Sequence, residues 1–148
     1  MALVDPAGVR GDTARAMSHV NVEIVRNGFE AWDRRDYDAA TSHFSPVVEI
    51  DASDRVLNPA VYSGLDGAMR FRDEIAETWD EFHVEVEDVV SAGDDVVVLV
   101  RSSGRGRASG AEVESRAAWV ATVRDQRIAR LRLYRDRSRA LEAVGLLE

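Results

Sequence analysis

Cysteine is absent from the 148 residues, which excludes disulfides, a thiol nucleophile and thiolate metal sites. Lysine is absent too, so all 19 basic residues are arginine and Schiff-base chemistry on a side-chain amine is excluded. That bias fits GC-rich bacterial coding better than any physical need. No apolar run approaches the roughly 18 residues required to span a membrane. The formal charge of -8 argues against nucleic acid or an anionic membrane as main partner. His19, His43 and His83 stand far apart and off any metal-ligand spacing, so no metal and no cofactor is expected. No Ser-His-Asp signature is present. Gly64-Leu-Asp-Gly67 lacks the Gly-Lys-Ser/Thr arrangement of a phosphate loop.

What is present suits one soluble domain with a hydrophobic core: apolar residues make up 45% and charged residues 31%. Residues 1–17 carry Pro6, Gly8 and Gly11 and no apolar stretch of signal-peptide type, so they are expected to form a flexible, non-helical tail on a domain spanning 18–148. The expected location is cytoplasmic. Ser18 or Asn21 can cap a helix whose apolar positions Val22, Val25, Phe29 and Trp32 recur at helical spacing. Tyr37, Ala40 and Phe44 fit a second short helix ending at Pro46, and Val47 to Asp51 reads as a strand. Asp54 to Tyr62 reads as a loop and Gly64 to Trp79 as a helix. Four alternating runs follow, Phe82–Val90, Val96–Arg107, Glu112–Val123 and Arg127–Asp136, and then a short amphipathic helix. Gly104 and Gly106 would let the second of these runs bend. The predicted fold class is α+β, in the order ααβαββββ plus a short C-terminal helix.

Four stretches carry a family likeness: Phe29-Glu-Ala-Trp-Asp-Arg-Arg-Asp-Tyr37, Tyr62-Ser-Gly-Leu-Asp-Gly67, Val123-Arg-Asp-Gln-Arg-Ile128 and Tyr134-Arg-Asp-Arg-Ser-Arg-Ala-Leu-Glu-Ala-Val-Gly-Leu146. In these the chain resembles the polyketide-cyclase-like (SnoaL-like) branch of the nuclear-transport-factor-2-like (NTF2-like) superfamily, over roughly Asn21 to Leu147. The resemblance implies a cone of helices against a strongly curved, mostly antiparallel sheet, a deep apolar pocket and a homodimer formed through the outer sheet face. The superfamily includes isomerases, epoxide hydrolases, cyclases, dehydratases and binding domains, so the fold fixes a pocket and leaves its chemistry open.

Strand alternation puts Arg101 and Ser103 on one face and Arg132, Tyr134 and Asp136 on one face. If both faces point inward, Asp136 becomes a proton shuttle with Arg101 as its partner, a small hydrophobic carbonyl compound being the substrate. A structural salt bridge is the competing reading. The same two positions carry Arg and Asp in the resembling epoxide hydrolases. That family's second acid would fall on Ser103 and its water-holding Tyr and Asn on Ile50 and Ala52, which argues against epoxide hydrolysis. The ketosteroid-isomerase positions fall near Gly28, Ala52 and Trp119, and Asp51 should face away from Val48 and Ile50. On Glu114–Val123, Arg116, Ala118, Val120 and Thr122 share one face and Ala117, Trp119, Ala121 and Val123 the other. With the first set inward, Arg116 would join Arg101 over the ligand. The second set, with Trp119, would then meet a partner copy. Trp32, Tyr62, Phe71 and Trp79 are aromatic residues able to line a pocket for a flat hydrophobic molecule. The expected ligand contacts are thus Trp32, Tyr62, Trp79, Ser103, Arg116 and Tyr134. Enzyme, metabolite-binding domain and dimerisation module remain open alternatives.

Overall fold

The computed structural model describes the backbone of residues 6–147 and the side chains of residues 16–147. Its elements run α1 (Pro6–Asp33), α2 (Tyr37–Thr41), β1 (Phe44–Asp51), β2 (Val61–Ser63), α3 (Gly64–Thr78), β3 (Trp79–Ala92), β4 (Asp95–Gly106), β5 (Glu112–Arg124), β6 (Arg127–Tyr134) and α4 (Arg137–Ala143). The six strands form one sheet in the order β2-β1-β6-β5-β4-β3. β1 runs parallel to β6, and every other neighbouring pair is antiparallel. The class is α+β, as expected. No helix among the described residues is long and apolar enough to cross a membrane.

Several boundaries differ from the sequence reading. The first helix begins at Pro6 rather than at a cap on Ser18 or Asn21. Proline is tolerated in a first turn because its missing N–H would have no intrahelical partner. Asn21 is instead buried within the helix. α2 stops at Thr41, and Phe44 and Pro46 belong to β1. Asp36 caps α2 through its carboxylate, which accepts from the Ala39 N–H at 3.2 Å. The expected loop ends in a sixth strand, β2, whose Tyr62 stands opposite Ile50.

Bulges bend the sheet. Val86 pairs with Val100 and Asp88 with Leu99, leaving Glu87 as the extra residue of β3. Further along the same ladder, opposite Phe82, Gly104 is required because a Cβ there would lie 2.8 Å from the Glu81 carbonyl and 3.0 Å from the Trp79 ring. On the concave face, Val96, Val98 and Val100 of β4, Ala117, Ala121 and Val123 of β5, and Ile128 and Leu131 of β6 pack with Ile24, Val25, Ala68 and Phe71 of the helices. On the convex face, Val97, Ala118 and Val120 meet Ala140 of α4. β5 is therefore apolar on both sides because a helix covers its outer side. Its parity is the reverse of the one needed to bring Arg116 over a ligand, and Trp119 points inward, against Phe29 and Phe71.

Charges collect on the convex face. Arg101 pairs with Glu114 at 3.3 Å and Arg116 with Glu87 at 3.6 Å. The Arg137 guanidinium reaches Glu87 at 2.5 Å and the carbonyls of Val100 and Ala117 at 2.9 and 3.2 Å. Glu87 is held below the usual carboxylate range, first by the hydrogen bond from Arg137 and then by the nearby Arg116 charge. Asp51 faces away from Ile50, as expected, and is buried. It accepts from the Ser53 N–H at 3.0 Å and hydroxyl at 2.5 Å, with Arg130 at 3.4 Å and Arg132 at 3.7 Å. Burial alone would raise its pKa. The Ser53 hydrogen bonds and the two arginine charges outweigh burial and hold it below its ordinary 3.8.

Because the folded-state value is depressed, the stability from Asp51 is complete above pH 3.8 and is lost as pH falls through the lower folded value. Asp51→Asn should therefore cost on the order of 1 kcal/mol near neutrality, with the deficit shrinking in acid. Urea unfolding at pH 7 and pH 3 checks this; a deficit that grows in acid would contradict it.

Candidate functional site

Two helices do not fill the concavity of the bent sheet. Between them and the sheet lies a cavity of about 620 Å³, within the range of small-molecule pockets. Its wall is mostly apolar: Phe29 and Trp32 from α1, Phe71 and Ile75 from α3, Trp79, Phe82 and Val84 from β3, and Trp119, Leu131 and Leu133 from β5 and β6. All three tryptophans of the chain border it. At its mouth stand Val56, Leu57 and Val113, all exposed. A smaller cleft of about 220 Å³, edged by Asp33, Arg35, Arg72, Asp80 and Arg107, shares the Trp32, Ile75, Trp79, Phe82 and Val84 wall with it.

Polar groups reach the large cavity in few places. Ser102 and Ser115 pair across β4 and β5 and give it two neutral hydroxyls. Charged residues border it at Arg55 and Glu74, joined by Tyr62, and at Arg116 and Arg135. The 52–60 loop is closed by the Ala52 N–H donating to Ala60 O at 2.9 Å and the Arg55 N–H donating to Ala52 O at 3.1 Å, which swings Arg55 back over the cavity. Asn58 takes the left-handed turn that closes the loop, with φ 52°. Tyr62 alternates between exposed Val61 and Ser63 and so points inward, 2% exposed, with its ring 5.2 Å from that of Phe71. α3 approaches it closely: a Cβ on Gly67 would lie 3.0 Å from the Tyr62 carbonyl carbon. Helical spacing then sets Phe71, Glu74 and Thr78 along the cavity wall.

The Tyr62 hydroxyl donates to Glu74 Oε2. Arg55 Nη2 donates to the Tyr62 hydroxyl at 2.9 Å and to Asn58 O at 2.6 Å, and lies 3.6 Å from Glu74 Oε2. The guanidinium also stacks near the Phe71 and Tyr62 rings, 5.5 and 5.9 Å from their centroids. Burial raises the Tyr62 pKa, and the hydrogen bond to Glu74 raises it further against the opposing pull of Arg55. The phenol thus keeps its proton and fixes the carboxylate. Three atoms of this group are spare among the described residues. Arg55 Nε is buried without a partner, at a cost of about 1–3 kcal/mol. Arg55 Nη1 and Glu74 Oε1 make no hydrogen bond to a described residue.

Of the residues singled out by sequence, Trp32 and Trp79 line the cavity, and Tyr62 sits behind its wall as the link between Arg55 and Glu74. Arg116 borders the cavity, but its guanidinium turns outward to Glu87. Arg101 and Ser103 stand opposite Arg116 and Glu114 on β5, and Arg101 is tied to Glu114 on the convex face. Tyr134 packs with the α4 side cluster, under the Arg132 guanidinium at 5.1 Å. Asp136 is exposed and caps α4, accepting from the Ser138 N–H at 2.9 Å. The expected meeting of Arg101 and Asp136 inside the sheet therefore does not occur. Its premise, that odd positions of β4 face inward, fails because Val96, Val98 and Val100 do. Arg55 and Glu74 carry no sequence signal beyond lying either side of Tyr62, since nothing in their spacing foretells the loop closure that brings them together.

The architecture is shared widely. An NTF2-like protein from Burkholderia thailandensis E264 is 27% identical and superposes with a TM-score of 0.70 over 84% of this chain and 97% of its own. A protein of Jannaschia sp. CCS1 named as a SnoaL-like polyketide cyclase is 20% identical, with a TM-score of 0.70 and full coverage of both chains (100% and 100%). The protein TerC, crystallised with polyporic acid, is 18% identical with a TM-score of 0.70 over 84% of this chain and 98% of its own. No curated protein matches the sequence. Residues 25–131 match the SnoaL-like domain, and with its curved sheet, helices and hollow in place, the chain belongs to that family.

Proposed function

We propose that this protein acts in the cytoplasm on a flat, hydrophobic small molecule that carries a carbonyl oxygen and is held in the 620 Å³ cavity. The observation that carries the reading is the contrast within one hollow: an aromatic and aliphatic wall with few charged residues on it, among them the ion pair of Arg55 and Glu74. An apolar body would be bound by area, at roughly 25 cal/mol per Å² removed from water, and oriented by the pair. The crystallisation of TerC with polyporic acid supports a ligand of that general kind for this fold. Acid–base turnover of the ligand fits the same pair, and binding alone is the alternative.

A pairing of two copies through the convex sheet face belongs to the proposal. What supports it is the self-complementary strip of Arg101, Arg116, Glu87 and Glu114. Sedimentation at twice the 16.4 kDa chain mass is the expected result, and sedimentation as a single chain would remove the dimer from the proposal.

Prodan, a flat naphthyl ketone whose emission reports polarity, tests the pocket. It should bind saturably with blue-shifted emission, and the bordering tryptophans should transfer energy to it. Ala117→Phe, which fills the hollow from β5, should weaken that binding about tenfold or more while leaving a cooperative melt. Binding that the substitution leaves untouched would mean that the ligand sits elsewhere.

A further inference from the structure

We propose that the smaller cleft is a second binding site, for a planar aromatic carboxylate, with the ring against Trp32, Tyr37 and Trp79 and the acid group held by Arg35 and Arg72. This goes beyond the reading of the large cavity and does not depend on it.

The cleft, of about 220 Å³, lies where the end of α1, the second half of α3 and the start of β3 come together. Its wall is aromatic. The Tyr37 ring stands edge-on to that of Trp32 with centroids 5.2 Å apart, and the Trp79 ring packs with Phe82 at 5.9 Å. Three arginines border this wall in a chain whose net charge is -8. Contacts with cleft residues fix two of them in place. The Arg72 guanidinium lies 5.2 Å from the centroid of the Tyr37 ring. Arg107 closes the end of α3, its Nη2 donating to Ala76 O at 2.9 Å and to Trp79 O at 3.3 Å. The third, Arg35, follows α1 in the left-handed conformation, φ 63°, with its N–H donating to Trp32 O at 3.0 Å.

The two carboxylates at the cleft are committed to other groups. Asp80 is held by Arg107 Nη1 at 2.9 Å. Asp33 accepts from the Val84 N–H at 2.8 Å and lies 3.4 Å from His83 Nδ1. Arg72 meets Asp73, its neighbour in sequence, in an exposed pair that water weakens. The Arg35 guanidinium has no partner among the described residues. What remains is positive charge beside aromatic faces. A cation would be repelled there, and a neutral ring would leave the guanidinium donors unmatched. Inorganic phosphate would meet the charge and leave the rings uncovered. An aromatic acid answers both, because a carboxylate accepts two parallel hydrogen bonds from a guanidinium and a ring stacks on tryptophan and arginine alike. The volume suits a single ring with its acid group, against the larger body that fits the neighbouring 620 Å³ cavity.

The test is titration of the full chain with benzoate and with benzamide, its uncharged isostere, followed by calorimetry and by ligand-observed NMR. Benzoate should saturate one site and weaken with added salt, and benzamide should bind about tenfold or more weakly. Arg35→Gln and Arg72→Gln should each weaken benzoate about tenfold with an unchanged melt. Arg34→Gln makes the same charge change on an exposed residue that does not border the cleft, and Ala117→Phe fills the large cavity; both should leave benzoate within about twofold of wild type. Benzamide binding as tightly as benzoate, Arg35→Gln and Arg72→Gln both binding like wild type, or no saturable benzoate binding would each overturn the proposal. Loss of benzoate binding in Ala117→Phe would place the acid in the large cavity and overturn it as well. Benzoate behaving as expected while prodan fails to bind would uphold the cleft and remove the reading of the large cavity alone.

Discussion

Everything functional in this molecule depends on the curvature of one sheet. An extra residue at Glu87 and the close packing permitted by Gly104 bend β3 and β4 around the helices. Bending makes the two faces unequal. The convex face is closed by a short helix and by ion pairs, whereas the concave face is wider than α1 and α3 can fill. The hollow is thus a consequence of geometry, and its apolar character follows from the valines and aromatics that a buried sheet face requires.

Within that hollow, charge is rationed. Arginine is the chain's only long cation, and most described arginines near the sheet are paired on the outside, on Glu114, Glu87, Glu49 or Asp51. Arg55 is set apart by the loop that carries it back over the cavity, where Phe71 and Tyr62 stack against its guanidinium. An arginine in such a place must share its donors with a carboxylate or face a large desolvation cost. Glu74 supplies the carboxylate and Tyr62 keeps it in register. A pair fixed in this way gains little stability from its charges alone, which makes its position beside an open volume the more telling feature.

Much of the fold was legible in the sequence. The helical spacing of Val22, Val25, Phe29 and Trp32 and the alternation in the last four strands reappear in the structure. The family likeness carried the curved sheet and the hollow. What could not be read was facing. β5 is apolar on both sides, so periodicity could not tell the convex side covered by α4 from the concave side. One wrong parity moved Arg101, Ser103, Tyr134 and Asp136 together, because strands in register share their faces. Asp136 precedes a helix, and an acid in that position serves a cap as readily as a pocket. Arg55 and Glu74 were hidden for another reason: their meeting is made by a loop and a helix start, where local sequence specifies no long-range contact. Tyr62 was visible as an aromatic residue at the head of a family-like stretch, but its role lies in hydrogen bonds that its spacing does not encode.

The most direct measurement is a crystal structure of the protein grown with 2-tetralone. Density for the ketone inside the hollow, with its oxygen within hydrogen-bond distance of the Arg55 side chain, is the predicted result. Density for the ketone on the convex face, or a hollow filled by rearranged side chains, would contradict it.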